Sequence, residues 1–342
     1  MEKIKKSRGR KAAKEKAKVS ESAISLIRAL EFISVAQKKV GPVPLQFCKM
    51  SNGWVAASNE ILTVAHPVTE DLEACPNTFQ FLEALKEAGK DDSLSITQLT
   101  ANALAVTSTA FRGLVPCVDA SALQIAPPDP QRGQMTEAIK AALQACGGLV
   151  SEGAQFVAYC AVLLKSGVAV GCTGQSLIEY WHGIDLPEGL LIPKSAAYAV
   201  ADAKPALTGF GFSQSSLTFY FENGAFIKTQ LYSERYPDYA SLFEVDKANW
   251  WPVPKEFFEG LKALEPFGNG YAFFENETLY SDESKDIASS YKVEGLPGEM
   301  AFNIRQLLNL KSRIDYIHFE KEKHKIIFKG ENCRGVSLGL KE

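Results

Sequence analysis

Hydrophobic residues along this chain alternate between two spacings. Six segments open with helix-start chemistry and then place apolar residues three and four apart. They are "SESAISLIRALEFISVAQKK" from Ser20, "NTFQFLEALKEAG" from Asn77, "MTEAIKAALQACGG" from Met135, "PKSAAYAVADAK" from Pro193, "PKEFFEGLKALEPF" from Pro254 and "AFNIRQLLNLKSR" from Ala301. In the fifth, Phe257, Leu261 and Leu264 form one stripe while Lys255, Glu259 and Lys262 lie off it, as a helix with one face on a core requires. Between these segments the period drops to two. "LSITQLTANALAVTST", "LTFYFENGAFIKTQLY" and "IDYIHFEKEKHKIIFKG" each read as a hairpin, the second turning at Asn223-Gly224. The chain is therefore predicted to be α+β, one helix plus a few antiparallel strands repeated six times, with pairs of repeats sharing a core.

The 342 residues suffice for two or three cored domains, and 46% hydrophobic with 23% charged residues excludes a fibrous or disordered chain. The Pro-rich "APPDP" at 126–130 reads as one linker, and the turn in "LYSERYPDYASLF", 231–243, as the next joint. Domains are predicted at 19–120, 121–243 and 244–342, after an arm at 1–18. That arm holds nine Lys/Arg and two Glu, which leaves 28 basic and 38 acidic side chains to the rest. It reads as a solvated, disordered arm, with nucleic-acid contact as the alternative. Seven cysteines without a CxxC pair point to a reducing, cytoplasmic setting, and no apolar run approaches the ~18 residues of a membrane span.

Candidate chemistry is sparse. There is no GxxxxGK[ST], "GFGFSQ" at 209–214 lacks a dinucleotide context, and the four histidines show no metal-ligand spacing, so neither cofactor nor metal is expected. Cys146 in "QACGG" is the best nucleophile candidate, yet it sits at a helix C-terminus, where the dipole raises a thiol pKa. His182 and Asp185 in "WHGID" could pair as a base and its orienter, or be an ordinary loop histidine with a neighbour. No catalytic constellation emerges, and an enzyme whose site is assembled from distant residues, thiol-dependent or otherwise, stays open as the alternative.

"LYSERYPDYASLF" resembles the Gly-Arg-Phe-Pro-Asp-Tyr segment of bacterial sliding clamps, the β subunit of DNA polymerase III, through Arg235, Pro237, Asp238 and Tyr239. "CTGQSLIEY" followed by "LLIPKSA" resembles that family's Thr-Asp-Gly-x-x-Leu and Ile-Pro-Arg/Lys stretches, and "AFNIRQLLNL" its Phe-Asn-x-x-Tyr-Leu-Leu helix. The order and spacing hold over residues 20 to 342, whereas the basic arm has no counterpart.

The resemblance implies a non-enzymatic processivity factor: a head-to-tail homodimeric ring around duplex DNA, helices inward, held by sequence-independent phosphate contacts. It makes Arg28, Lys38, Lys39, Lys86, Lys140, Lys194, Lys204, Lys262, Arg305, Lys311 and Arg313 candidates for the DNA lining, with Lys38 and Lys39 foremost because they precede "VGPVPLQF". Solvated surface charge is the alternative for each. Phe111, Leu264 and Phe267 are expected between subunits, or else in the ordinary core. A polymerase and a clamp loader are expected to insert short peptides, a Gln followed by apolar residues, into a cleft. By the family's pattern that cleft is lined by Cys172, Gly174 and Leu177, by Pro237, Ser241 and Leu242, and by Val336, Leu338 and Leu340, with Tyr159 a looser match. Thr173 for Asp, Gln175-Ser176 for His-Arg, and "SLGLKE" at the end depart from the pattern and imply a cleft with a different polar flank.

Overall fold

A computed structural model describes residues 21–90, 93–151, 153–245, 249–296, 298–311, 313–320 and 324–339. The basic arm at 1–18 lies outside them. Six helices appear among the described residues: α1 Glu21–Ile33, α2 Thr78–Ala88, α3 Ala138–Gly147, α4 Lys194–Ala201, α5 Lys255–Leu264 and α6 Ile304–Leu308. Each falls inside one of the six periodic segments. The last differs most from expectation. The stretch from Ala301 continues a strand, Glu299–Asn303, and the helix starts only where the Asn303 side chain accepts the Gln306 N–H at 3.1 Å.

The described residues divide into two compact units, one within 21–58 and 65–125, the other within 59–64 and 126–339. In the first, α1 packs on α2, which the Asn77 side chain caps by accepting the Gln80 N–H. Strands Lys49–Ser51 and Trp54–Ser58 form a hairpin around Asn52-Gly53, both at positive φ (53° and 73°), as a type I′ turn needs. A three-stranded antiparallel sheet orders Ser95–Thr100, Ala103–Thr107 and Arg112–Pro116.

The second unit is built on an eight-stranded antiparallel sheet. Its order is Leu190–Pro193, Ala161–Lys165, Val168–Cys172, Ser176–Trp181, Cys333–Leu338, Lys325–Lys329, Tyr316–Glu320 and Trp251–Pro252. Ser176–Trp181 and Cys333–Leu338, far apart in sequence, meet at its centre, with Leu177 opposite Val336. Helix α3 packs against α4 and against the sheet so tightly that a Cβ on Gly171 would lie 2.2 Å from the Cys146 carbonyl. A four-stranded sheet, Ser290–Lys292, Thr278–Tyr280, Tyr271–Glu275 and Glu299–Asn303, carries α5 and α6.

The Pro-rich stretch at 126–130 is anchored through buried Asp129. Its carboxylate accepts from Ser216 (2.9 Å), Thr218 (2.8 Å) and Lys228 Nζ (3.1 Å), and the Tyr220 hydroxyl donates to its carbonyl. Burying such a polar group is costly unless it is hydrogen-bonded in this way. The expected plain linker is thus a pinned joint on strand Ser216–Phe221.

Candidate functional site

The Tyr-Pro-Asp-Tyr turn lies against the centre of the eight-stranded sheet. Tyr236, Tyr239, Leu242 and Phe243 pack on a core cluster that includes Ala161, Leu163, Cys172, Leu177, Ile327 and Val336. Pro237 fixes the backbone, and the Asp238 carboxylate accepts the Ala240 N–H at 3.1 Å to start a short 3-10 helix, Ala240–Phe243. Tyr239 is buried and donates its hydroxyl to Glu179 Oε1 at 2.8 Å; the other Glu179 oxygen accepts from Arg334 Nε at 2.5 Å. The Arg334 guanidinium lies 4.2 Å from the Phe243 ring centre. Turn, middle strand and C-terminal strand are therefore clasped by one Tyr–Glu–Arg chain. Lys325 adds a second tie, donating to the carbonyls of Leu242 (3.0 Å) and Glu244 (3.4 Å) while paired with Glu320 at 2.9 Å.

A turn at 173–176 borders the same region. Thr173 Oγ1 accepts the N–H groups of Gln175 and Ser176 at 3.2 and 3.0 Å, the task a carboxylate performs in an Asx turn, so the Thr-for-Asp departure preserves the turn while removing its charge. Gly174 sits at φ 88° with Tyr159 close beside it: a Cβ here would come 3.3 Å from the ring. Gln306 of α6 reaches over to Ser176 Oγ (2.5 Å) and Gln175 Oε1 (3.3 Å), and Ser176 also bonds Ser337 (2.7 Å).

The expected cleft residues thus gather, but at two depths. Cys172, Leu177 and Val336 are 8%, 2% and 2% exposed and form a floor. Tyr159 and Leu242 are half-buried; Gly174, Pro237, Ser241 and Leu338 are exposed. Leu340 lies outside the described residues. Glu179, Arg334, Phe243, Tyr236 and Gln306 belong to the site and were not singled out from sequence. The Glu179 partners lie 60 and 155 residues away from it, so no local pattern announces them.

The basic candidates divide as well. Arg28, Lys38, Lys39, Lys204, Lys262 and Lys311 are exposed. Lys39 lies 6.0 Å from the Phe79 ring and Lys194 5.9 Å from that of Tyr198. Lys86 pairs with Glu31 (3.3 Å), Arg305 with Glu265 (3.2 Å), and Arg313 donates to the Asn309 carbonyl (3.1 Å). Lys140 departs from expectation. Its ammonium is nearly buried and donates to the carbonyls of Ala203 (2.8 Å) and Pro205 (2.6 Å) beside Glu137 (3.0 Å), so it is spent inside the fold and cannot meet a phosphate. Among the expected subunit contacts, Phe267 is 67% exposed, Phe111 half-buried, and Leu264 only 3% exposed. The α5 stripe turns Leu264 into its own core, which removes it from any interface.

Phe111 also helps line a cavity of about 500 Å³ in the first unit, with Phe79, Gln80, Glu83 and Leu114. The enzyme candidates fare poorly. Cys146 is fully buried, and burial drives its thiol far above the ordinary range, the opposite of an activated nucleophile. His182 Nδ1 accepts the Ile184 N–H at 3.1 Å, whereas Asp185 accepts from Ser166 at 2.8 Å; no hydrogen bond joins His182 to Asp185. No cluster of three or more metal-ligating side chains occurs among the described residues. No helix among them is long and apolar enough to cross a membrane.

The sequence matches no protein-family model and no curated protein. Solved structures do resemble the chain. A C. crescentus β sliding clamp superposes with a TM-score of 0.78 at 14% identity, covering 94% of this chain and 98% of that one. A DNA polymerase sliding clamp from Pseudomonas aeruginosa, solved with a ligand, gives 0.77 at 12% identity with the same coverage of both chains. The Helicobacter pylori β clamp bound to a DNA ligase peptide gives 0.74 at 14%, covering 94% and 99%. The chain has the fold of bacterial DNA sliding clamps.

Proposed function

We propose that this chain is a DNA sliding clamp: two copies close head to tail around duplex DNA and tether a polymerase through the cleft behind the Tyr-Pro-Asp-Tyr turn. The observation that carries the reading is the extent of the likeness. Structures described as sliding clamps are covered over 98–99% of their length. Fold alone does not specify function, and the site must agree. It does so in two respects. The apolar floor and exposed rim described above would suit a short peptide, and the clamp from Helicobacter pylori was solved bound to a DNA ligase peptide. The exposed lysines and arginines on α1, α5 and the loop at 37–47 suit non-specific phosphate contact.

Three clamp domains at 19–120, 121–243 and 244–342 form part of the proposal; the second compact unit would hold the last two, joined through the eight-stranded sheet. In this reading the protein acts as a tether without chemistry of its own, inside the cell where DNA is replicated, and a loader opens the ring.

Light scattering after size exclusion tests closure, with a homodimer near twice 37.4 kDa expected. The dimer is expected to stay on closed circular DNA and to slip off after linearisation. Equal retention on both would refute the topological tether. Leu338→Asp tests the cleft separately. The side chain is 43% exposed, so the fold survives, and a carboxylate on the rim is expected to abolish binding of an apolar peptide.

A further inference from the structure

Tyr236 stands out in the cleft. Its ring packs on the floor and meets Tyr239 edge-on at 6.1 Å, yet its hydroxyl oxygen is fully buried without a hydrogen-bond partner. An orphaned buried hydroxyl is a standing cost to the fold, and phenylalanine would fill the same space without it.

We propose that the Tyr236 hydroxyl is a specificity-determining donor that hydrogen-bonds an amide carbonyl of a peptide seated in the cleft. The inference rests on the cleft reading above. The hydroxyl remains a donor at any physiological pH, because burial pushes its pKa far up. Its partner is a neutral acceptor. The hydroxyl is fully buried, and a carboxylate brought against it would have to give up its hydration. An amide carbonyl accepts the bond at much smaller cost. Tyr159, a half-buried ring in the short 3-10 helix Val157–Cys160, packs on the same cluster, abuts Gly174 and meets Phe156, itself 61% exposed. Because the hydroxyl is fully buried, a peptide reaches it only by displacing a side chain of this wall.

The test uses the full chain and a fluorescein-labelled peptide, Gln-Leu-Ala-Leu-Leu, read by anisotropy, with wild type, Leu338→Asp and Tyr236→Phe. Wild-type binding that Leu338→Asp abolishes upholds the cleft. Tyr236→Phe is then expected to weaken binding by about five- to thirtyfold while the melting temperature stays level or rises, since the variant loses only an unsatisfied group. A merely structural hydroxyl gives the reverse, a lower melting temperature with unchanged affinity, and overturns the inference while leaving the cleft intact. Absence of wild-type binding overturns the cleft reading and the inference together. A second peptide with norleucine for Gln locates the acceptor. A Tyr236→Phe penalty that vanishes assigns the side-chain carboxamide, and one that persists assigns a main-chain carbonyl.

Discussion

Replacing Tyr239 with phenylalanine removes one oxygen from the clasp that holds the turn to the sheet. Glu179 is 4% exposed and has two partners for its carboxylate, the Tyr239 hydroxyl and the Arg334 guanidinium. Without the hydroxyl, Oε1 of a buried charge is unsatisfied, and a hydrogen bond to a charged group contributes about 1.5–3 kcal/mol. The ring stays, so its packing on Phe243 at 6.3 Å is unchanged and no cavity opens. Arg334 has a 44% exposed side chain, and solvent screens its attraction to Glu179, so it cannot make up the loss. In a chain of two compact units a loss confined to one sheet is resolved best by native-state hydrogen exchange, because it reports local opening. Amides of strands Ser176–Trp181 and Cys333–Leu338 are expected to exchange about 10- to 100-fold faster in Tyr239→Phe, with those of residues 95–107 unaffected. Exchange within about twofold of wild type would mean that the hydroxyl contributes nothing net, and the clasp would have to be abandoned. Glu179→Gln tests the same bond from the other side, and a double-mutant cycle with Tyr239→Phe is expected to show a coupling of about 1 kcal/mol or more.

Three further outcomes follow from the same packing. Six of the seven cysteines are buried, with Cys48 pushed up to about 12 and Cys117 and Cys333 to about 11, so one thiol, the half-buried Cys160, is expected to react quickly with a disulfide reagent in the native protein and six only on unfolding; a second fast thiol contradicts this. Burial lowers the pKa of His66 and His182 from the usual 6.5, so the unfolded chain takes up these protons first. Stability is accordingly full above about pH 6.5 and lost as the pH falls below it; His66→Gln with His182→Gln is expected to flatten the fall in melting temperature between pH 6.5 and 5, and an unchanged slope refutes the assignment. Lys38→Ala with Lys39→Ala should lower the slope of log DNA affinity against log salt by about 0.9 for each phosphate no longer neutralised, independently of sequence; deletion of residues 1–18 tests the arm in the same assay, and an unchanged slope removes either element from the DNA path.

The elements were legible in the sequence for a simple reason: each is specified by neighbours a few residues away. The stripe Phe257, Leu261, Leu264 makes α5, and Asn77 and Asn303 cap the helices that follow them. The hairpin at 217–230 turns at Asn223-Gly224, where the glycine takes φ 83°. Lys140 could not be read that way. Its helical position marks it as a surface cation, and only the return of the chain at Ala203 and Pro205 supplies the carbonyls that consume it. Leu264 takes the alternative held open for it, ordinary core burial, because the local stripe already claims that side chain.

The candidate site shows the same division more sharply. Its rim was legible because a Pro-Asp pair and a Thr-Gly pair dictate turn geometry wherever they occur. What makes those turns a cleft is non-local: Glu179 joins Tyr239 to Arg334, and Gln306 joins α6 to the turn at 173–176. The departures from the clamp pattern acquire a physical meaning there. Threonine at 173 and serine at 176 keep every backbone bond of the turn while replacing ionisable groups with hydroxyls, one of which is tied up by Gln306 and Ser337. Residues 173–176 carry no ionisable side chain, and the Tyr236 hydroxyl, packed on the same cluster, is a buried polar group without a partner. If the proposed cleft takes a peptide, one that relies on an acidic residue to meet a basic flank would gain little from residues 173–176, whereas the proposal above favours one that presents an amide carbonyl to Tyr236.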